Sequence, residues 1–302
     1  MSEQSTSAKL RRSIVHRLPR FLQSQLTLSV AERAAIDLAS SPAQFKVGST
    51  STTTFAIPLV GAHQVSDWDV INTALRISLQ ALIAQSDPKW RAVICSQTRP
   101  DAIDLDPRIT FLPFEREVEG HDKVAKLQCL ADHCLRDAPL PGFFMPLDGD
   151  DLLHRDLVAR LGSDPQSGVL FDGGVILNSG TGELGRTRAR SLSELGQKPF
   201  WKFCGSCMAL PVGRDFDKEH RFFHALSLHE HRLYPYLAKL AGIRLRRLAE
   251  PMAVYLINHG ENFETRRGRG GFKQRFVKRF PVSKEETAAL MDDGFPNLRD
   301  LL

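Results

Sequence analysis

Between residues 54 and 147, short apolar runs alternate with longer amphipathic ones, and that alternation restricts the chain to very few folds. Residues 54–60, Thr-Phe-Ala-Ile-Pro-Leu-Val, are predicted as a buried opening strand. Residues 68–85 place Val70, Ile71, Ala74, Leu75, Ile77, Leu79, Leu82 and Ile83 at helical spacing. Residues 91–95 and 109–112 predict two more strands, 123–136 a second helix, and 143–147 a fourth strand. Such alternation implies an α/β protein with flanking helices and a mostly parallel sheet joined by right-handed crossovers. The rhythm then changes. Short strands are expected at 169–171, 175–177 and 208–210, between Gly-rich turns, forming a smaller β region. A last helix is expected over 230–241, followed by strands over 244–248 and 253–257.

The fourth strand ends in Asp148-Gly149-Asp150-Asp151, three carboxylates within four residues. A strand that leaves the core and delivers acids at its C-terminal end puts them where α/β sheets bind ligands. Clustered acids repel one another unless a cation neutralises them. Hard oxygen donors of this kind suit Mg²⁺ or Mn²⁺, shared with a substrate phosphate. The competing reading is a solvated turn in which Asp150 or Asp151 caps the next helix.

Composition narrows the class. The chain has 302 residues, 42% hydrophobic and 25% charged, enough for one large α/β domain with added arms. No apolar run approaches a membrane span. The N-terminus has Lys9, Arg11 and Arg12 without an apolar core, so it is not expected to be a secretory signal. Five cysteines fit a reducing cytoplasm. Cys204 and Cys207 form a lone Cys-x-x-Cys, expected as small buried residues beside a strand. The net charge of +5 is concentrated in two places, the stretch from Lys9 to Arg20 and seven basic residues from Arg266 to Arg279. Three regions are therefore expected: a basic helical arm over 1–52 with helices near 10–25 and 29–40, the main domain over 53–262, and a basic arm over 263–302. The arms suit anionic lipid headgroups or phosphates, a peripheral contact at the inner membrane face. Nucleic acid is not expected, since no binding module accompanies the charge.

In order along the chain, several features resemble the GT-A glycosyltransferases, specifically the inverting family-2 enzymes. They are Ile57-Pro58, the leucine-glutamine run ending at Gln85, the strand at 90–94, the acid segment at 144–151, and 255–262 with His259. The resemblance covers roughly 53–262. It implies a GT-A fold whose first half binds a nucleotide-sugar, a UDP-sugar first among them, and whose second half shapes a site for a glycan or lipid-linked hydroxyl acceptor. It implies Mn²⁺ or Mg²⁺ as cofactor, with Asp150 the principal ligand, Asp151 ligating or orienting, and His259 approaching from the other side. Asp148 is then placed at the ribose or the metal shell, Asp122 at the nucleoside, Lys123 at a phosphate, and Glu230, on the late helix, as base. Glu219 and Asp217 are the rival bases. Lys126 is expected at the surface or paired on its helix, and Trp201 either stacks on a sugar or lies in the core. The chain departs from the family after the second strand, where only Asp101 supplies an acid.

Other readings remain beside it. A degenerate GT-A protein that only binds glycan or nucleotide is the non-catalytic alternative, opposed by the full set of acids. An Asp-x-Asp phosphatase normally carries its acids near the domain start, and here three strands precede them. A pyrophosphorylase needs a Gly-rich loop that is absent after Ile57.

Overall fold

The structure is a computed structural model describing residues 5–23, 26–41, 51–136, 142–261 and 271–302. Of the polar linker expected over 48–54, residues 48–50 lie outside these residues and 52–54 instead open the first strand; Arg266, Arg267 and Arg269 also lie outside. Four parallel strands form the first half: β1 (Thr52–Pro58), β2 (Trp90–Ser96), β3 (Ile109–Pro113) and β4 (Gly142–Pro146). Three more complete the sheet: β6 (Gly168–Phe171), β9 (Met208–Val212) and β10 (Leu245–Leu248). The seven-stranded order is β10-β6-β9-β4-β1-β2-β3, with β9 antiparallel to both its neighbours and every other pair parallel. This is the mixed α/β, mostly parallel architecture that the alternation dictates.

A second, smaller sheet has the order β5-β11-β7-β8, built from β5 (Leu152–Leu153), β7 (Gly174–Asn178), β8 (Glu183–Thr187) and β11 (Ala253–Ile257). β5 and β8 were not foreseen. β5 is two residues long, and β8, Glu-Leu-Gly-Arg-Thr, lacks an apolar run.

Helix α4 (Trp68–Ile83) buries Ile71, Leu75, Leu79 and Leu82 and is capped by the Asp67 carboxylate, which accepts from the backbone of Asp69 and Val70. Helix α5 (Lys123–Arg136) carries Lys126 at full burial. A surface Lys126 is therefore wrong, and the helix-pair alternative holds: its ammonium meets Asp122 at 2.8 Å, four residues back, and donates to the Leu59 carbonyl at 2.7 Å. A buried ammonium survives only with such partners.

The N-terminal segment folds as α1 (Thr6–Arg17), α2 (Arg20–Gln23) and α3 (Val30–Leu38). The expected helix over 10–25 divides at Leu18-Pro19, because proline cannot donate the helical bond. Val15, Ala31, Ala35 and Leu38 are buried in the main core. After α6 (Leu157–Gly162) come α7 (Phe216–Ser227) and α8 (Tyr234–Leu240). The helix expected over 230–241 starts only at Tyr234, so Glu230 is not helical and lies in the loop after α7. Beyond β11, helix Gly271–Arg279 buries Phe276 and Val277 against Ile176, Phe203 and Ile257. Among the described residues no helix is long and apolar enough to cross a membrane.

Candidate active site

The order of the large sheet reverses at β1: β2 and β3 extend to one side, β4 to the other. Side chains beyond the carboxyl ends of β1 and β4 therefore diverge and leave a crevice. The cleft there has a volume of about 740 Å³, within the range of ligand pockets. Leu59 and Val60 line it after β1, and Asp148, Gly149 and Asp150 after β4. The remaining wall includes Lys123, the loop Leu228 to Arg232, His259 and Lys273.

The three acids occupy three different environments. Asp148 is paired with the Lys123 ammonium. Burial raises its pKa most, but Lys123, helped by His231 and Lys273, holds the carboxyl below its ordinary value. Lys123 is correspondingly held above its ordinary value by Asp148, against burial. Asp150 faces His259, whose Nε2 lies 2.8 Å from Oδ2. Asp151 is fully buried and turned away from the cleft, taking hydrogen bonds from Ser206 Oγ at 2.6 Å and Cys204 Sγ at 3.0 Å. Burial, then the charges of Asp150 and Asp148, push its pKa well above the ordinary carboxylate value.

The loop of acids is braced from both sides. Ser206 also accepts from the Asp148 N–H at 2.8 Å, and Ser78 of α4 donates to the Asp151 carbonyl at 2.6 Å. Gly149 packs so closely that a Cβ would meet Leu59 at 3.1 Å and Leu75 at 3.3 Å. Gln85, at the end of the leucine-glutamine run, donates to the His154 carbonyl at 2.9 Å and accepts from Val158 N–H at 3.0 Å. Cys204 and Cys207 are buried as expected, and burial pushes both thiols well above their ordinary pKa, so neither is a thiolate.

His259 is delivered by a sharp reversal after β11. Asn258 has φ 63° and Gly260 φ 91°, left-handed conformations that Asn and Gly tolerate best. Asn258 is tied to Asn178 at 2.8 Å, and Glu261 accepts from the Ser66 hydroxyl and from the Ser66 and Asp67 N–H groups. The reversal is thus latched to the start of α4.

Glu230 is exposed at the rim of the cleft, and its neighbour His231 lines the same wall. Burial, then Arg232 and Lys123, push His231 down to about 3, so it is a neutral imidazole. Its Nε2 has no partner among the described residues. The rival bases lie elsewhere: Asp217 is exposed in the first turn of α7, and Glu219 is buried, accepting from the N–H groups of Gly213 and Arg214. Neither lines the cleft. Asp122 does, but its carboxylate is already shared among Lys126, Gln97 at 2.6 Å and Gln64 at 3.3 Å. Asp101 and Trp201 are outside the lining; Trp201 packs half-buried against the core with Lys202 over its ring at 3.7 Å.

Two features are not singled out by the sequence. Lys273 stands there only within the basic stretch 266–279, for which contact with donor phosphate is the alternative to membrane; it is buried, lines the cleft and donates to the Tyr255 hydroxyl at 2.5 Å. Asp132, His220 and His224 form a separate cluster, signalled by a His-x-x-x-His spacing.

No protein-family model matches this chain, and no curated protein does. Among solved structures the chain is similar to S. aureus TarS 1-349, at 12% identity and a TM-score of 0.41 over 68% of this chain. The chain spans 60% of that structure's length. It is also similar to a 4-diphosphocytidyl-2C-methyl-D-erythritol synthase, at 12% identity and a TM-score of 0.39, over 76% of this chain and all of the other.

Proposed function

We propose that this chain is an inverting GT-A glycosyltransferase that moves a sugar from a nucleotide-sugar to a hydroxyl acceptor. The observation that carries the reading is convergence. Asp148 and Asp150, Lys123, His259 and Lys273 come from four separate stretches of chain and line one cleft beyond β1 and β4. Asp150 and His259, with donor atoms 2.8 Å apart, fit a divalent cation of the Mn²⁺ or Mg²⁺ type, and the imidazole favours Mn²⁺. When bound, that ion neutralises the charge of the departing diphosphate. The contacts of Asp151 support orienting, the second of its two expected roles.

Lys123 and Lys273 flank the cleft with positive charge, and the reading gives them to the donor phosphates. Asp148, held ionised by Lys123, is placed at the ribose. Asp122 is placed at the nucleoside end, where it fixes Gln97. Glu230, at the open rim, takes the proton of the acceptor hydroxyl. Inversion follows if that hydroxyl attacks from the rim side, opposite the diphosphate. Anionic membrane is proposed as the surface on which a lipid-linked acceptor is met.

The test is a panel of nucleotide-sugars in thermal denaturation with Mn²⁺. The matching donor raises the melting temperature by mass action, and Asp150→Asn removes the rise. If no UDP-, GDP-, CDP- or dTDP-sugar shifts the unaltered protein, the reading is wrong.

A further inference from the structure

His220 and His224 lie four residues apart on α7, so both project from one face of the helix. Asp132 projects toward them from α5. Each imidazole Nε2 is 2.5 Å from the same oxygen, Asp132 Oδ1. The two rings are 4.6 Å apart, centre to centre. All three side chains are about one-third exposed, at 30–31%. A groove of about 490 Å³ between α3, α5 and α7 opens onto both histidines and is walled by Val30, Ala34, Gln128 and Leu228. Three donors thus converge on one point, and that point has a route to solvent.

Hydrogen bonding satisfies this arrangement only when both histidines carry a proton on Nε2 and donate to the same carboxylate oxygen. With the imidazoles neutral and the protons on Nδ1, the same three groups instead aim two lone pairs and a carboxylate oxygen at a common centre, which is a cation site. Zn²⁺ bonds of about 2.0–2.2 Å in a tetrahedron set donor atoms roughly 3.3 Å apart. The three donors lie within 4.8 Å of one another, so small side-chain rotations satisfy that spacing.

We propose that Asp132, His220 and His224 bind a divalent transition-metal ion of the Zn²⁺ class, completed by water from the groove. Two imidazoles and one carboxylate select Zn²⁺, Co²⁺ or Ni²⁺ over Mg²⁺. The site is separate from the cleft but bears on it. α5 begins at Lys123, which meets Asp148, and α7 ends at Ser227, just before the cleft loop of Leu228 to Arg232. The ion therefore ties together two walls of the cleft.

The test uses the full chain, stripped with chelator and titrated with Zn²⁺ alone by calorimetry. One equivalent binds to the unaltered protein and still binds to Asp150→Asn, which excludes the cleft. His224→Gln and Asp132→Asn each weaken binding at least tenfold. Absence of binding, loss of the equivalent in Asp150→Asn, or unchanged affinity in both cluster variants overturns the proposal. These variants also lose an Asp–His hydrogen bond, so Co²⁺ in the unaltered protein supplies an independent readout. Visible ligand-field bands without thiolate charge transfer fit nitrogen and oxygen ligands. A strong near-ultraviolet thiolate band assigns the ion to cysteine and overturns the site.

Discussion

Asp148 meets Lys123, Asp150 meets His259, and Asp151 is drawn inside by Ser206 and Cys204. One acidic run is therefore three separate chemical instruments. Asp150→Asn keeps the shape and removes the charge at the cleft. Calorimetry is expected to show loss of Mn²⁺-dependent nucleotide binding with an unchanged melting temperature; wild-type affinity would sink the metal assignment. Ser206→Ala acts on the opposite side. It strips a partner from the Asp148 N–H and from the buried Asp151 carboxyl, which has no route to water. The expected loss of stability is about 1–3 kcal/mol, read by urea unfolding. Glu230→Gln is expected to slow turnover by about 10²–10⁴ while donor affinity holds. Wild-type turnover in that variant would move the base elsewhere, and His231, whose Nε2 lacks a partner among the described residues, is then the next group to test. Neither Glu219 nor Asp217 inherits the role, since both are outside the cleft.

Helices α1, α3 and α8 meet at the Glu32 carboxylate. It accepts from Arg11 at 2.7 Å and from the Tyr236 hydroxyl at 2.7 Å, and it closes a capping box with Ser29. Burial alone pushes Glu32 up, but Arg11, the Ser29 N–H and Tyr236 together hold it down at about 2, against an ordinary 4.5. A carboxylate depressed in the folded state stabilises fully above its unfolded pKa, and that contribution fades as pH falls toward the folded value. Glu32→Gln should thus cost about 2 kcal/mol at neutral pH, discounted because Arg11 is 46% exposed. In urea unfolding the gap between the two proteins should narrow from about pH 5 downward; a gap independent of pH would contradict this account. Glu32 illustrates what a sequence hides, because its partners lie 21 and 204 residues away. Elements with a strong local period were legible: β1 to β4 and α4 all formed where the pattern put them. The loop carrying Glu230 was not read, although a signal was there. Pro235 lacks a backbone N–H and belongs in the first turn of a helix, which places the start at Tyr234. The acids were legible as a group, but their separation into cleft and core was not. That division depends on Ser206 and Cys204, more than 50 residues downstream.

Among the described residues, Lys9, Arg12, Arg190, Lys198, Lys202 and Arg232 form a group of positive charges between helix α1 and the cleft wall. Burial, then Arg232, Arg190, Lys9 and Arg12, lower Lys202 to about 8. Lys198 is lowered in the same surroundings by burial and by Arg232 and Arg190. Like charges so close are costly, and an anionic surface offsets that cost. Leu192 and Leu195, exposed at 94% and 70%, stand in the same loop as Arg190. The helix Gly271–Arg279 offers less than its sequence suggested, because Phe276 and Val277 are used in packing and Lys273 faces the cleft. The proposed membrane contact therefore belongs to the Lys202 face, with Arg232 at once in this patch and in the cleft lining. Vesicles of phosphatidylserine should sediment the protein at low salt and release it at high salt, while neutral vesicles leave it in solution. Each basic residue near such a surface contributes about 1 kcal/mol. Reversing two charges, Arg12→Glu with Arg190→Glu, should then weaken partitioning at least about tenfold. The same exchange at Lys278 and Arg279, at the end of the helix Gly271–Arg279, should weaken it less. Equal recovery with anionic and neutral vesicles would exclude electrostatic docking, and a larger effect at Lys278 and Arg279 would return the contact to the C-terminal arm.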